Sequence, residues 1–118
     1  VHPTSYISKS AKIFPGSILA PFTLVAPYAI IMPNCFLNSY SSIGHHSTIG
    51  KSNVLAPYSV INGNCKIDNA NLFGSGAIVN PNIKIGNNCK VSSGSVLRKS
   101  MKNNCIAHGN PAIIKKIY

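Results

Sequence analysis

The sequence predicts an all-β protein, a parallel β-helix in which short strands alternate with tight corners. Three features of a six-residue repeat carry this prediction. Counted in hexapeptides from Val1, position one is large and apolar in all seventeen units through Leu97, position five is small in thirteen of them, and every proline occupies position three. A period of six is not a multiple of the 3.6-residue turn of an α-helix, so a strand-and-corner unit fits and a helix does not.

The corners are predicted by proline and glycine. All eight prolines occupy position three, and eight of the nine glycines occupy positions two to four. Proline cannot donate to an interior strand ladder, and both residues favour turns. Positions five, six, one and two then form the strand, with five and one pointing inward and six outward. Cys35, Cys65 and Cys89 occur at position five, so they are interpreted as small core residues and not as nucleophiles.

Three hexapeptides, or eighteen residues, close one triangular coil, and coils stacked about 4.8 Å apart pair as parallel strands. Residues 1–102 are predicted to form this β-helix, with five to six coils. Residues 103–118 leave the repeat and are predicted to be a C-terminal cap or tail. Pro111 can occupy the first turn of a helix, so a short helix is expected through "AIIKKI".

Stacking at eighteen residues sorts the outward position-six residues into three faces. The first face carries Tyr6, Leu24, Ser42, Val60, Ile78 and Val96; the second Lys12, Ile30, Thr48, Lys66, Lys84 and Lys102; the third Ile18, Phe36, Val54, Leu72 and Lys90. Two faces are therefore largely apolar and one is largely basic, and Phe22, Tyr40 and Tyr58 form an aromatic ladder at the corner between the apolar faces. Apolar stripes of this size are rarely left in water, so the chain is predicted not to be a monomer.

The charge is strongly one-sided. Eleven lysine and arginine residues face one acidic residue, Asp68, for a net charge of +10. This balance favours an anionic partner and excludes a paired-carboxylate glycosidase or a carboxylate metal site. The cysteines show no CxxC spacing, which argues against a zinc or redox motif and favours the reducing cytoplasm. We expect no membrane insertion, because no apolar run has the length of a span, and no nucleic-acid binding, because basic and exposed aromatic residues do not interleave.

The stretch "SIGHHSTIG", residues 42–50, places two histidines on one corner. His45 is position three and His46 position four, between an apolar face and the basic face. Corners point away from the core, so a buried structural histidine is disfavoured. From the residues alone, a functional histidine pair and an exposed pair on a turn both remain open.

The ordered motifs resemble the hexapeptide-repeat acyltransferases, whose fold is a left-handed parallel β-helix; the handedness comes from this resemblance alone. "VHPTSYIS", "SIGHHSTIG" and "HGNPA" are similar to the opening, active-site and closing motifs of the branch that acetylates sialic acid or nucleotide-activated amino sugars. The resemblance implies a cytoplasmic homotrimer that transfers acetyl from acetyl-CoA to a sugar hydroxyl or amine in surface-polysaccharide or glycan biosynthesis. The aromatic corner would lie near the threefold axis. The alternative is a catalytically weakened trimeric β-helix that serves as a binding or scaffold module.

The resemblance also implies residue roles. His45 is the expected catalytic base, and the backbone N–H of Gly63 would meet the developing oxyanion. The catalytic set is His45, His46 and Gly63; the substrate-binding set is Asn38, Tyr28 and Asn64; the acetyl-CoA set is Gly63, Pro81, Lys84, Lys99 and Lys102. No metal is expected. Adjacent histidines chelate poorly, no carboxylate is available, and Pro81 and Gly86 stand where carbonic anhydrases of this fold place ligands.

Two positions depart from the branch pattern. The acidic residue that normally follows the catalytic histidine is His46, and a second histidine of the branch is replaced by Val54. Asp68 lies at a different corner and cannot take the place of the missing acid. Orientation of the His45 ring therefore falls to a backbone carbonyl or to His46. Members of the branch usually carry an N-terminal α/β domain that holds the nucleotide-sugar, whereas this sequence begins at the first coil.

Overall fold

A computed structural model describes residues 1–117 as a triangular solenoid of parallel strands followed by a β-hairpin. The first sixteen strands each have two residues, one at position six and one at position one of the hexapeptide. Their bounds are β1 Tyr6–Ile7, β2 Lys12–Ile13, β3 Ile18–Leu19, β4 Leu24–Val25, β5 Ile30–Ile31, β6 Phe36–Leu37, β7 Ser42–Ile43, β8 Thr48–Ile49, β9 Val54–Leu55, β10 Val60–Ile61, β11 Lys66–Ile67, β12 Leu72–Phe73, β13 Ile78–Val79, β14 Lys84–Ile85, β15 Lys90–Val91 and β16 Val96–Leu97. The hairpin consists of β17 Cys105–Gly109 and β18 Ala112–Lys116.

The strands form three sheets, one on each side of the triangle. Sheet A has the order β1-β4-β7-β10-β13-β16, sheet B β2-β5-β8-β11-β14, and sheet C β3-β6-β9-β12-β15-β17-β18. Neighbouring strands are eighteen residues apart, as Val60 shows by pairing with Ser42 on one side and Ile78 on the other. The predicted eighteen-residue coil is confirmed. The regular strands are shorter than the four residues expected, because the flanking positions already bend into the corners.

The core is filled by positions one and five, as predicted. Position-one side chains such as Ile43 and Leu55 have no exposed surface. Position five also satisfies backbone groups through polar side chains: the Ser47 hydroxyl donates to the Asn62 carbonyl (2.7 Å) and accepts from the Cys65 N–H (3.0 Å). Each such side chain therefore joins one coil to the next, and its burial costs little because its polar atoms are hydrogen-bonded.

Two asparagines at position five do not follow the small-residue rule and are nevertheless buried. Asn53 is fully buried, and its amide donates to the carbonyls of Gly50 (2.9 Å) and Asp68 (2.7 Å). Its side-chain oxygen accepts from the Asn71 N–H at 2.8 Å. The Asn53 side chain thus links neighbouring coils as the Ser47 side chain does, but with three hydrogen bonds where Ser47 makes two. Asparagine fits the interior here because the stack supplies partners at fixed spacing.

The cysteines are core residues, as the repeat predicted. Cys35, Cys65 and Cys89 each expose about 2 % of their surface, and all four thiols of the chain are free. Burial raises the pKa of these three thiols above the ordinary value of 9.0. They are held as neutral thiols, which are poor nucleophiles.

The helix predicted through residues 112–117 is wrong, because this segment is a strand. β18 pairs antiparallel with β17, with Gly109 opposite Ala112 and Asn110-Pro111 as the connecting residues. β17 in turn pairs parallel with β15. A strand satisfies the N–H and C=O groups that the last coil of sheet C would otherwise expose, which a helix cannot do. Tyr118, the last residue of the predicted C-terminal cap or tail, lies outside the described residues.

The last coil is two residues shorter than the others. Ile85 pairs with Met101, sixteen residues away, and the Gly86 N–H donates to the Met101 carbonyl (3.0 Å). The prediction that Lys102 extends the basic face above Lys84 is therefore wrong: Ser100 takes that place, with its hydroxyl accepting from the Lys84 N–H. The shift puts Met101 in the core, 4 % exposed, where an unshifted register would bury Asn103.

Candidate active site

The two histidines lie on the corner between sheets A and B, here called the histidine corner, which links β7 to β8. His46 has a left-handed backbone conformation with φ of 58°, as do Tyr28 and Asn64 at the same place one coil before and after. The His46 N–H donates to the Pro27 carbonyl (3.1 Å), and the Asn64 N–H donates to the His45 carbonyl (2.9 Å). Hydrogen bonds to both neighbouring coils therefore fix this corner, and its side chains project outward.

The His45 imidazole lies across the backbone of Gly63. A Cβ atom at Gly63 would be 2.6 Å from His45 Nε2, 2.9 Å from Cε1 and 3.0 Å from Cδ2. The ring thus occupies the volume that any side chain at residue 63 would need. Gly63 is not in a left-handed conformation, so close approach to the imidazole is what requires glycine here.

The backbone N–H of Gly63 is free within the described chain. Position three is proline in seven hexapeptides of the solenoid, and at Lys51, Asn69 and Asn87 the N–H donates to an asparagine side chain of the next coil. No hydrogen bond among residues 1–117 uses the Gly63 N–H. An unused backbone donor on the residue that the imidazole covers offers the two groups needed to stabilise an oxyanion while the imidazole moves a proton.

His46 contacts two rings. Its Nδ1 lies 3.2 Å from His45 Nδ1, with the two ring planes nearly perpendicular at 86°. On its other side it stacks on Tyr28, with ring centroids 5.0 Å apart and an interplanar angle of 24°. Tyr28, His46 and Asn64 therefore form one exposed column beside His45, and the binding of substrate by Tyr28 and Asn64 stays a prediction.

A cavity of about 530 Å³ opens near the end of the same corner. It is lined by Arg98 and Lys99 on one side and by residues 111–114 of the hairpin on the other. Lys99 is three coils beyond His45, roughly 14 Å at about 4.8 Å per coil. The hairpin tip is attached to this wall, because Arg98 Nη2 donates to Asn110 Oδ1 (3.4 Å) and the Gly109 N–H donates to Ser95 Oγ (3.0 Å).

Two more of the predicted residues lie along this side of the molecule. Pro81 is exposed on the histidine corner between Gly63 and Lys99. Lys84 is exposed on sheet B, where it pairs with Lys66 and lines a smaller cavity of about 210 Å³. The structure therefore gathers four of the five predicted acetyl-CoA residues on the histidine corner and the adjoining sheet.

Two predicted residues lie elsewhere. Asn38 is on the corner between sheets C and A, beside Tyr40, and its side-chain oxygen accepts from the Ser39 N–H (2.8 Å). Sheet A separates it from His45 within one chain, so its contact with substrate stays a prediction that needs a second protomer. Lys102 follows Met101 toward the corner between sheets B and C, with its carbonyl carbon 3.0 Å from where a Cβ at Gly86 would lie.

Sequence reasoning missed Arg98 and the hairpin wall of the larger cavity. Both depend on the last coil being short and on β18 folding back. The available signal was the failure of the apolar period at Asn103, with Met101 as the apolar residue two positions earlier. Among the described residues, no group of three or more histidine, cysteine or acidic side chains has metal-binding geometry. The described part of the chain also contains no helix long and apolar enough to cross a membrane.

Solved structures of high similarity share this fold. The chain superposes on a mutant perosamine N-acetyltransferase from Caulobacter crescentus, in complex with CoA and GDP-perosamine, with a TM-score of 0.95, 24 % identity and coverage of 98 % of this chain and 55 % of that one. The acetyltransferase domain of PglB from Neisseria gonorrhoeae, in complex with acetyl coenzyme A, superposes with a TM-score of 0.92 and 22 % identity, over 95 % of this chain and 55 % of that one. WeeI from Acinetobacter baumannii superposes with a TM-score of 0.68 and 26 % identity, over 92 % of this chain and 57 % of that one. The chain thus spans little more than half the length of these proteins.

The sequence comparisons give the family. Among curated proteins, none matches the chain. Residues 28–63 and 64–99 each match the family described as bacterial transferase hexapeptide (six repeats), which covers more than half of the 118 residues. This match, with the eighteen-residue coils, confirms the predicted hexapeptide-repeat parallel β-helix of the left-handed kind. The chain belongs to the bacterial hexapeptide-repeat transferase family.

Proposed function

We propose that this chain is an acyltransferase that moves the acetyl group of acetyl-CoA to a hydroxyl or amine of a sugar, either sialic acid or a nucleotide-activated amino sugar. The observation that carries the proposal is the exposed His45 ring lying over Gly63, a buried residue whose N–H makes no hydrogen bond within residues 1–117. Similar structures have CoA with GDP-perosamine, or acetyl coenzyme A, in their complexes, which supports this substrate class.

His45 acts as the base in this proposal. Its Nε2 takes the proton of the acceptor O–H or N–H as the oxygen or nitrogen attacks the thioester carbonyl carbon. The carbonyl oxygen gains negative charge, and the Gly63 N–H donates a hydrogen bond to it. The C–S bond then breaks, and the CoA sulfur leaves with the proton returned from His45. All charge changes occur at one corner, and the chain's own residues supply both the base and the oxyanion donor.

The basic end of the histidine corner suits the phosphates of CoA. Arg98 and Lys99 form one wall of the large cavity, and Pro111–Ile114 supply an apolar wall opposite. An extended arm of about four peptide-like units would cover the roughly 14 Å from His45 to Lys99. With one acidic residue in the chain, little opposes the approach of a polyanion.

The same proposal includes a cytoplasmic homotrimer that serves surface-polysaccharide or glycan biosynthesis. Sheets A and C present exposed apolar side chains, including Ile18 at 61 % and Leu24 at 45 % exposure. On the corner between these sheets Phe22, Tyr40 and Tyr58 stack with centroids 5.2 and 4.9 Å apart. Burying these surfaces against copies of the chain, with the aromatic corner near the threefold axis, removes them from water.

A second candidate is a trimeric β-helix that binds or scaffolds but has weakened catalysis. His46 stands where the resembling branch has an acidic residue, and this departure favours the alternative. A neutral imidazole stabilises the protonated form of His45 less than a carboxylate does. The scaffold would keep the fold and the basic cavity but would have little or no turnover.

Calorimetric titration with acetyl-CoA tests the proposal. We expect binding by the wild type and weaker binding by the Lys84→Ala/Lys99→Ala variant, because that variant removes two charges near the proposed phosphate site. The matched control is Lys9→Ala/Lys12→Ala, which removes the same charge at the opposite end of the solenoid and should bind as the wild type does. Absence of acetyl-CoA binding by the wild type would end the enzyme hypothesis.

His45→Ala separates the two candidates. We expect this variant to bind acetyl-CoA normally and to release no CoA with the best sugar acceptor found for the wild type. A wild type that binds acetyl-CoA but acetylates none of a panel of amino sugars, sialic acids and their nucleotide derivatives would support the scaffold.

A further inference from the structure

We propose that His46 is a positioning residue that accepts a hydrogen bond from His45 and thereby fixes the tautomer of the catalytic base. The observation is the 3.2 Å separation of the two Nδ1 atoms. The inference rests on the proposed function, because it explains how this chain orients His45 without the acidic residue.

The hydrogen bond has only one productive direction. Two neutral imidazoles whose Nδ1 atoms face each other can bond only if one of them carries the proton. His45 Nε2, the nitrogen that lies against Gly63, must be unprotonated to take a proton from the acceptor. His45 therefore carries its proton on Nδ1 and donates it to His46 Nδ1, and His46 carries its own proton on Nε2.

Tyr28 holds the accepting ring in place. His46 lies on an exposed corner, where a lone imidazole would rotate, but its stacking on Tyr28 at 5.0 Å restricts it. His46 and Tyr28 share the left-handed backbone, φ 58° and 61°, so their side chains leave neighbouring coils from equivalent places on the corner. Stacked aromatic pairs are worth more than their buried area alone, so Tyr28 can orient the acceptor without a charge.

The chain itself offers two matched substitutions at this place. Phenylalanine occupies the same fourth position with the same backbone at Phe22 (φ 60°), and asparagine does so at Asn64 (φ 57°). His46→Phe keeps a ring to stack on Tyr28 but removes the acceptor atom. His46→Asn removes the ring but keeps an oxygen that can accept from His45 Nδ1. Both residues fit this backbone, so neither substitution is expected to unfold the corner.

Nitrogen-15 NMR of the His45 ring tests the proposal without acetyl-CoA or an acceptor. At a pH where both rings are neutral, we expect the Nδ1–H tautomer in the wild type and in His46→Asn, and loss of that preference in His46→Phe. A wild-type His45 protonated on Nε2, or a tautomer unchanged by His46→Phe, would overturn the proposal. Either result is informative even if the chain binds no acetyl-CoA, so it is distinct from failure of the proposed function.

Turnover gives the second readout. General acid–base catalysis contributes about 10²- to 10⁴-fold, so loss of the base's orientation in His46→Phe should lower kcat by about 10- to 100-fold with the KM for acetyl-CoA unchanged. His46→Asn should recover most of the rate. If stacking alone mattered, the order would reverse, with His46→Phe active and His46→Asn impaired, and the proposal would be wrong.

Discussion

Replacing Gly63 with alanine should disable the proposed base while leaving the solenoid intact. The new methyl carbon would lie 2.6 Å from His45 Nε2, which is 0.8 Å less than the 3.4 Å lower bound of ordinary contact. The atoms it meets belong to the imidazole and not to the backbone, so the ring moves and the coil does not. The backbone at residue 63 is not left-handed, so alanine adds no strain of its own.

The size of the effect follows from that displacement. A misplacement of about 1 Å in a catalytic group can cost about 100-fold in rate. We therefore expect Gly63→Ala to lower kcat by about 100-fold, or about 2.7 kcal/mol of transition-state stabilisation. The assay is release of the CoA thiol from acetyl-CoA with the best acceptor for the wild type, and thermal unfolding should stay within about 3 °C of wild type.

A double-mutant cycle isolates the steric cause. With His45 already changed to alanine, the methyl group at residue 63 meets no imidazole, and Gly63→Ala should cost nothing further. Full activity of the single Gly63→Ala variant would refute the reasoning, because it would mean that the imidazole does not need its place over residue 63. A large loss of stability would refute it too, since the new methyl group would then be displacing the backbone and not the imidazole.

Three further predictions test the packing and the surfaces. Gly44→Ala places a methyl carbon 2.5 Å from backbone atoms of the next coil, so it should lower the free energy of unfolding by about 1–3 kcal/mol, measured by urea denaturation. Burial raises the pKa of Cys35, Cys65 and Cys89 above 9.0, so their contribution to stability is complete below that pH and is lost as the pH rises through the folded-state values. A wild type whose unfolding free energy falls no faster than that of Cys65→Ala between pH 8 and 10.5 would contradict this. Leu24→Lys puts a charge on apolar sheet A and should convert a trimer to monomers in light scattering, whereas an unchanged mass would show that sheet A is not the contact.

Much of the fold was readable from the sequence because the repeat is local. Each hexapeptide supplies its own inward residue, its small neighbour and its corner, so one unit is enough to define strand and turn. The eighteen-residue coil then follows from geometry, and it predicts that Gly63 lies beside His45. The same repeat predicts that Cys35 and Cys65 lie in the core, because both occupy position five.

The end of the solenoid was predicted wrongly because the repeat no longer constrains it. The Pro111 segment fits either a helix start or a hairpin turn by local preference. The segment is a strand because Cys105–Gly109 pairs with the edge of sheet C and then presents an edge of its own, to which Ala112–Lys116 bonds. The two-residue shortening that buries Met101 likewise depends on which side chain the core accepts, a choice made by packing across coils.

By itself, the sequence determined the coil, the faces and the corner on which the histidines lie, because a strict period converts residue number into position. Only the tertiary structure decided how the side chains meet on that corner. The turn of the His46 ring onto Tyr28, its Nδ1 contact with His45, and the closing of a cavity between Lys99 and the hairpin all depend on side-chain and strand placements between distant residues. A period specifies where a residue stands along the stack, but rotamers and strand pairing at the end of the stack respond to every neighbour at once.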